Sequence, residues 1–229
     1  MTSVGIVGGL GPESTIDYYR RILQVWQTDT PRSAPHILID SLDVDLGLQL
    51  IDSDRPALTE YLLESLQRLA RGGVDFAVLA ANSPHVVFDD LSARSPVPLL
   101  SIVEACAREA ARQGLKRVGL LGTRFTMDGT FYPVTCARYG IGVVVPEPDE
   151  RAWIHERYIG ELLRGVFRDE TREGVLGVIE RLKERSGVDS IALAGTELPL
   201  LLRAPRLGGV PVLNTTELHV AAIVERLRA

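Results

Sequence analysis

Two short stretches hold most of the side chains able to do chemistry: Leu79-Ala80-Ala81-Asn82-Ser83-Pro84-His85 and Leu193-Ala194-Gly195-Thr196-Glu197. The Asn82 amide and the Ser83 and Thr196 hydroxyls can donate hydrogen bonds to an oxyanion, holding a carboxylate or stabilising an enediolate as an α-proton leaves. His85 and Glu197 are the acid–base candidates. Histidine titrates near neutral pH, and a carboxylate enclosed away from water has its pKa raised towards neutrality. Backbone donors at Gly9, Leu10 and Gly11 and hydroxyls at Thr123 and Thr126 complete the candidate substrate-binding set. Asn82, Ser83 and Thr196 equally suit helix capping, and Glu197 suits the charge preference of a helix start.

Each stretch follows an apolar run, which places it on a loop at the carboxyl end of a buried strand, the edge where α/β sheets bind ligands. The chain is also duplicated. Leu79 and Leu193 lie 114 residues apart, as do Val4-Gly5-Ile6-Val7-Gly8 and Val118-Gly119-Leu120-Leu121-Gly122, and Gly73-Val74-Asp75 and Gly187-Val188-Asp189. Val97-Pro98-Leu99-Leu100 finds its counterpart at Val210-Pro211-Val212-Leu213, one residue off that register. Four landmarks in one order indicate a repeated unit. Strands alternating with helices then predict an α/β fold of two pseudo-symmetric lobes, each a four-stranded mainly parallel sheet flanked by helices, with an active cleft between them. Residues 1–100 plus 214–229 form the first lobe and 101–213 the second.

Locally, the spacing predicts a helix after Gly11-Pro12 with Ile16, Tyr19, Ile22, Leu23 and Trp26 on its buried face, and Ser14 or Thr15 as its cap. Thr215 or Thr216 is expected to cap a terminal helix containing His219. A dinucleotide fingerprint at Gly9 and Gly11, with Asp40 as its ribose acid, is weakened by Ser14 in place of the third glycine. Asp43 and Asp45 follow the second strand and favour an amine or neutral polar group.

With 229 residues, 45% hydrophobic and 24% charged, the composition is that of a globular protein. A net charge of −5 without a basic block makes nucleic acid and anionic membranes poor partners. No transmembrane or leader segment is expected, and the location expected by default is cytoplasmic. The two cysteines, Cys106 and Cys136, suit neither a disulfide framework nor a zinc site and read as small core residues. No metal is expected, since no cluster has ligand spacing.

From end to end the chain resembles the cofactor-independent aspartate/glutamate racemase superfamily. Gly8-Gly9-Leu10-Gly11-Pro12-Glu13-Ser14-Thr15 resembles its N-terminal loop, and Gly122-Thr123-Arg124-Phe125-Thr126-Met127 the turn opening its second lobe. Thr196-Glu197-Leu198-Pro199-Leu200-Leu201 resembles the run after the second catalytic cysteine, and Thr215-Thr216 with His219 the C-terminal signature. The resemblance implies that two cysteines exchange an α-proton without pyridoxal phosphate, in Cys-Asn-Thr and Gly-Cys-Thr motifs. Ala81 and Gly195 stand at those two cysteine positions, and they too lie 114 residues apart. Neither can take a proton from carbon, so two-thiol racemisation is closed to this chain, and loss of both thiols is expected to enlarge the pocket. The loop Ser41–Leu48 also has no arginine, which family aspartate racemases place there for a substrate carboxylate.

The expected function is that of a divergent family enzyme acting without cofactor on a small carboxylic or amino acid. The reaction would be proton transfer, elimination or isomerisation through a stabilised enediolate, with Glu197 or His85 replacing the thiols. The alternatives are a catalytically silent binding or regulatory protein, and an amino-acid racemase with a non-cysteine base. A homodimer fits the habits of the family.

Overall fold

The first strand, β1 (Ser3–Gly8), is buried along its whole length, as a central parallel strand between helical layers must be. The computed structural model describes residues 2–29 and 33–229. It divides into two units, Met1–Ile102 with His219–Ala229, and Val103–Leu218. The chain thus changes unit a few residues beyond the expected 100/101 and 213/214.

In the first unit β1 leads to α1 (Pro12–Asp29), β2 (His36–Ser41), α2 (Val44–Ser53), α3 (Arg55–Arg71) and β3 (Phe76–Leu79). A 3-10 turn (Ser83–Val87), α4 (Phe88–Arg94) and β4 (Leu99–Leu100) follow, before α5 (Ile102–Arg112) carries the chain into the second unit. That unit runs β5 (Arg117–Gly122), α6 (Arg124–Met127), α7 (Phe131–Ala137), β6 (Gly142–Val144), α8 (Pro148–Gly160), α9 (Asp169–Ser186), β7 (Ser190–Ala194), α10 (Leu198–Leu201), β8 (Arg206–Leu207) and β9 (Val210–Asn214). The terminal helix α11 (Thr215–Arg228) returns to the first unit.

The sheets share one topology. The first has strand order β2-β1-β3-β4 and the second β6-β5-β7-β9-β8, parallel except for β8. The duplication extends to pairing register: Val4 pairs with Phe76 and Val118 with Ser190, Val7 with Leu79 and Leu121 with Leu193. The Gly-Val-Asp repeat starts each sheet in the same way. Asp75 accepts from the Ser3 amide at 2.7 Å, and Asp189 from the Lys116 and Arg117 amides at 2.6 and 3.1 Å.

Three local expectations are corrected. The second sheet has five strands rather than four, because Gly208 and Gly209, both at positive φ, turn β8 back along β9. The buried face of α1 is Ser14, Tyr18, Ile22 and Trp26, at a spacing of four, whereas Ile16 and Tyr19 are each 44% exposed. Among the caps, the Thr15 hydroxyl receives the Gly9 N–H at 2.9 Å and donates to Gly11 O at 3.1 Å, stitching the turn instead. At α11 the cap is Asn214, which accepts from the Glu217 amide, while Thr215 donates to the Leu193 carbonyl at 2.8 Å.

His219 is fully buried. Its Nε2 lies 3.0 Å from the Leu100 carbonyl, which can only accept. Nε2 therefore carries the proton, and Nδ1 accepts from the Tyr18 hydroxyl at 2.8 Å. Burial pushes the His219 pKa down to about 4 from an ordinary 6.5. As pH falls the unfolded chain takes up this proton first, so stability that is full above 6.5 is lost between 6.5 and about 4. Urea titrations should show a fall on the order of 2 kcal/mol from His219 across that window, and His219→Gln should roughly halve the total slope, because buried His85 loses stability over the same range.

Candidate active site

In a parallel sheet of this order the connections leave in opposite directions from the two central strands, so a ligand site opens at their carboxyl ends. Those ends are the β1 and β3 loops in the first unit and the β5 and β7 loops in the second. All the candidate residues lie on them.

In the first unit the Gly9 backbone has φ of 81°, and a Cβ there would lie 2.1 Å from Leu42 O, so only glycine fits beside the β2–α2 connection. The Gly9 N–H is spent on Thr15, while half-buried Leu10 abuts Gly47 of α2. Across from this turn, Ala81 and Asn82 are buried and Ser83 half-buried, with Asn82 opening the 3-10 turn without a side-chain capping bond. His85 is buried too, its ring stacked on Phe88 with centroids 4.7 Å apart. Burial, and then the proximity of His219, push its pKa down to about 3. Such an imidazole is neutral at pH 7. Asp40, cast as a ribose acid in the dinucleotide reading, is instead bound by the Arg68 guanidinium at 2.9 Å. The Asp43 carboxylate caps α2, accepting from the amides of Asp45 and Leu46.

In the second unit the β5 turn places Thr123 and Thr126 together, both buried, with hydroxyls 3.4 Å apart. The β7 loop carries Gly195, Thr196 and Glu197, and Glu197 is only 1% exposed. Glu197 stands at the N-cap position of α10 but makes no side-chain capping bond. Its Oε2 accepts from the Thr196 hydroxyl at 3.1 Å and from the hydroxyl of Tyr158 on α8. Burial, and then the Glu197 charge, hold the Tyr158 phenol well above its ordinary pKa.

Tyr158 also decides what residue 195 can be. A Cβ on Gly195 would lie 2.5 Å from Tyr158 Cε2 and 2.8 Å from its hydroxyl oxygen. The expected enlargement of the site is therefore corrected at this position: the volume of a side chain at 195 is filled by the tyrosine ring. The sequence pattern does not single out Tyr158, which stands four positions after Ile154 and four before Leu162, a spacing that reads as core stripe. All three do belong to one hydrophobic cluster.

Neither cysteine is part of these loops. Cys106 lies in α5 and Cys136 in α7, both buried. Burial raises both thiols, Cys136 to about 11 and Cys106 further. Among the described residues no group of three His, Cys, Asp or Glu side chains is placed to hold a metal, and no helix is long and apolar enough to cross a membrane.

A family profile described as Asp/Glu/Hydantoin racemase matches residues 7–223, nearly the whole chain. The chain belongs to this family. It is 28% identical over 134 residues to the broad specificity amino-acid racemase RacX of Bacillus subtilis, a match covering 56% of this chain and 58% of that one. Among solved structures it is similar to a candidate Asp/Glu racemase from Yersinia pestis, at 32% identity and a TM-score of 0.88 over the whole of both chains. An aspartate racemase homologue from Pyrococcus horikoshii is 31% identical, with a TM-score of 0.83 and the same full coverage. The expected α/β architecture of two mainly parallel sheets is the architecture found.

The buried, protonated thiols should be inert. Iodoacetamide at pH 8 should leave Cys106 and Cys136 unlabelled in the native protein and label both in guanidinium, as read by intact mass. Rapid native labelling would contradict their placement.

Proposed function

We propose that this chain is a cofactor-free enzyme of the racemase type acting on a small amino or carboxylic acid, with Glu197 as its proton-transfer base. The observation that carries this reading is the Glu197 carboxylate itself. It is buried at the carboxyl end of a central strand, two residues from the position that the resemblance matches to a family cysteine, and is held by hydroxyls rather than capping its own helix. A carboxylate out of bulk water is a stronger base than a solvated one.

The chemistry needs only one proton. The carboxylate takes the α-proton, the C–H electron pair passes into an enediolate, and hydroxyl donors of the kind at Thr196 and Thr123 stabilise the oxyanion. Reprotonation by solvent from the opposite face racemises the substrate, return of the proton from Glu197 restores it, and expulsion of a β-substituent or reprotonation elsewhere gives elimination or isomerisation. Of these, racemisation draws support from the names of the relatives. With Ala81 and Gly195 at the two positions that the resemblance matches to the family cysteines, and both cysteines buried in helices, the reading excludes a two-thiol exchange.

Glu197→Gln keeps the shape and removes the base. Deuterium incorporation at the α-carbon in D₂O, followed by proton NMR, should fall about 100-fold or more. The dissociation constant of the same acid by calorimetry should stay within about threefold, because the donors remain. Unchanged exchange would remove Glu197 from the mechanism.

A further inference from the structure

Position 195 poses a question that the proton-transfer reading leaves open: what takes over from the side chain that is missing there. We propose that Tyr158 is the positioning residue of this site, its ring occupying the volume of a side chain at 195 and its hydroxyl fixing Glu197 for proton transfer. The proposal rests on the reading of Glu197 as the base.

Three observations converge. First, the ring and the missing side chain compete for the same space, since any Cβ at 195 falls 2.5 Å from Cε2 and 3.0 Å from Cζ. Real Cβ atoms do not approach carbon that closely, so glycine and tyrosine are a matched pair. Second, the same phenol touches Glu197 twice, donating to Oε2 and accepting the Glu197 backbone N–H at 3.3 Å. Carboxylate and loop backbone are thus both referred to one rigid ring. Third, the ring has little freedom of its own. Tyr158 is 3% exposed and belongs to the cluster containing Ile154, Leu162, Val178 and Leu198. A group so enclosed holds its partner without a large entropy cost on substrate binding. Tyr158 keeps its own proton throughout. The proton that moves goes from the substrate α-carbon to Glu197 and back, or is replaced there by a deuteron from solvent.

Two measurements test this. Tyr158→Phe retains the ring and removes the hydroxyl. In α-proton exchange its kcat should fall about 10- to 100-fold with KM within about threefold and the melting temperature within a few degrees. A purely structural tyrosine would leave kcat unchanged in the folded variant, and that result overturns the proposal. No exchange by the wild type with any acid that binds would overturn the underlying reading instead, and the role of Tyr158 with it. The steric half needs no turnover. Gly195→Ala should lower the melting temperature by several degrees in the wild type and by much less in a Tyr158→Ala background, a non-additivity expected only if the two side chains share space. Equal losses in both backgrounds would show that they do not.

Discussion

The structure depends on one constraint applied twice, the level pairing of two central parallel strands. Val7 beside Leu79 and Leu121 beside Leu193 bring each pair of strands to an end side by side, so that both following loops emerge together. Aspartates ahead of β3 and β7 secure the opposite ends by binding the amides at the starts of β1 and β5. A slip of one residue would turn buried side chains to the other face of the sheet and separate the loops. Gly5 and Gly119 belong to the same constraint. A Cβ at either would meet helix or strand side chains at about 3 Å, so both glycines let the covering layer sit close.

On this repeated frame the two halves have become chemically unlike. The β3 loop of the first unit carries Ala81 and a neutral His85 stacked on Phe88. The corresponding β7 loop carries Glu197 bonded to Tyr158, with Gly195 yielding its space to the ring. Glycine at 195 is therefore part of a packed arrangement. Glycine there is a requirement of Tyr158, whose hydroxyl is bonded to Glu197. A small change at any one of the three disturbs the other two.

Much of this was legible in the sequence. Spacings of 114 residues between short motifs disclosed the duplication, and apolar runs before Asn82 and Thr196 placed both loops correctly at strand ends, because buried parallel strands leave a continuous apolar signature. The parts that escaped reading depend on contacts remote in sequence. Tyr158 and Gly195 are 37 residues apart, and nothing in the local pattern of α8 separates a tyrosine facing a loop from one in the core. Burial of His85 and the capture of His219 between Tyr18 and Leu100 likewise come from tertiary surroundings. The α1 face was misjudged because Ile16 and Tyr19 fit an apolar stripe about as well as Tyr18, Ile22 and Trp26 do. Packing against β1 and α11 decided for the latter.

The central claim is carbon-acid chemistry without a thiol, and a protein with no cysteine at all tests it most directly. In a Cys106→Ala, Cys136→Ala double variant shown by its melting curve to be folded, α-proton exchange in D₂O with the substrate acid should persist at a rate close to that of the wild type. Exchange present in the wild type and abolished in the folded cysteine-free protein would contradict the account, returning the chemistry to a sulfur that the structure keeps buried in α5 or α7.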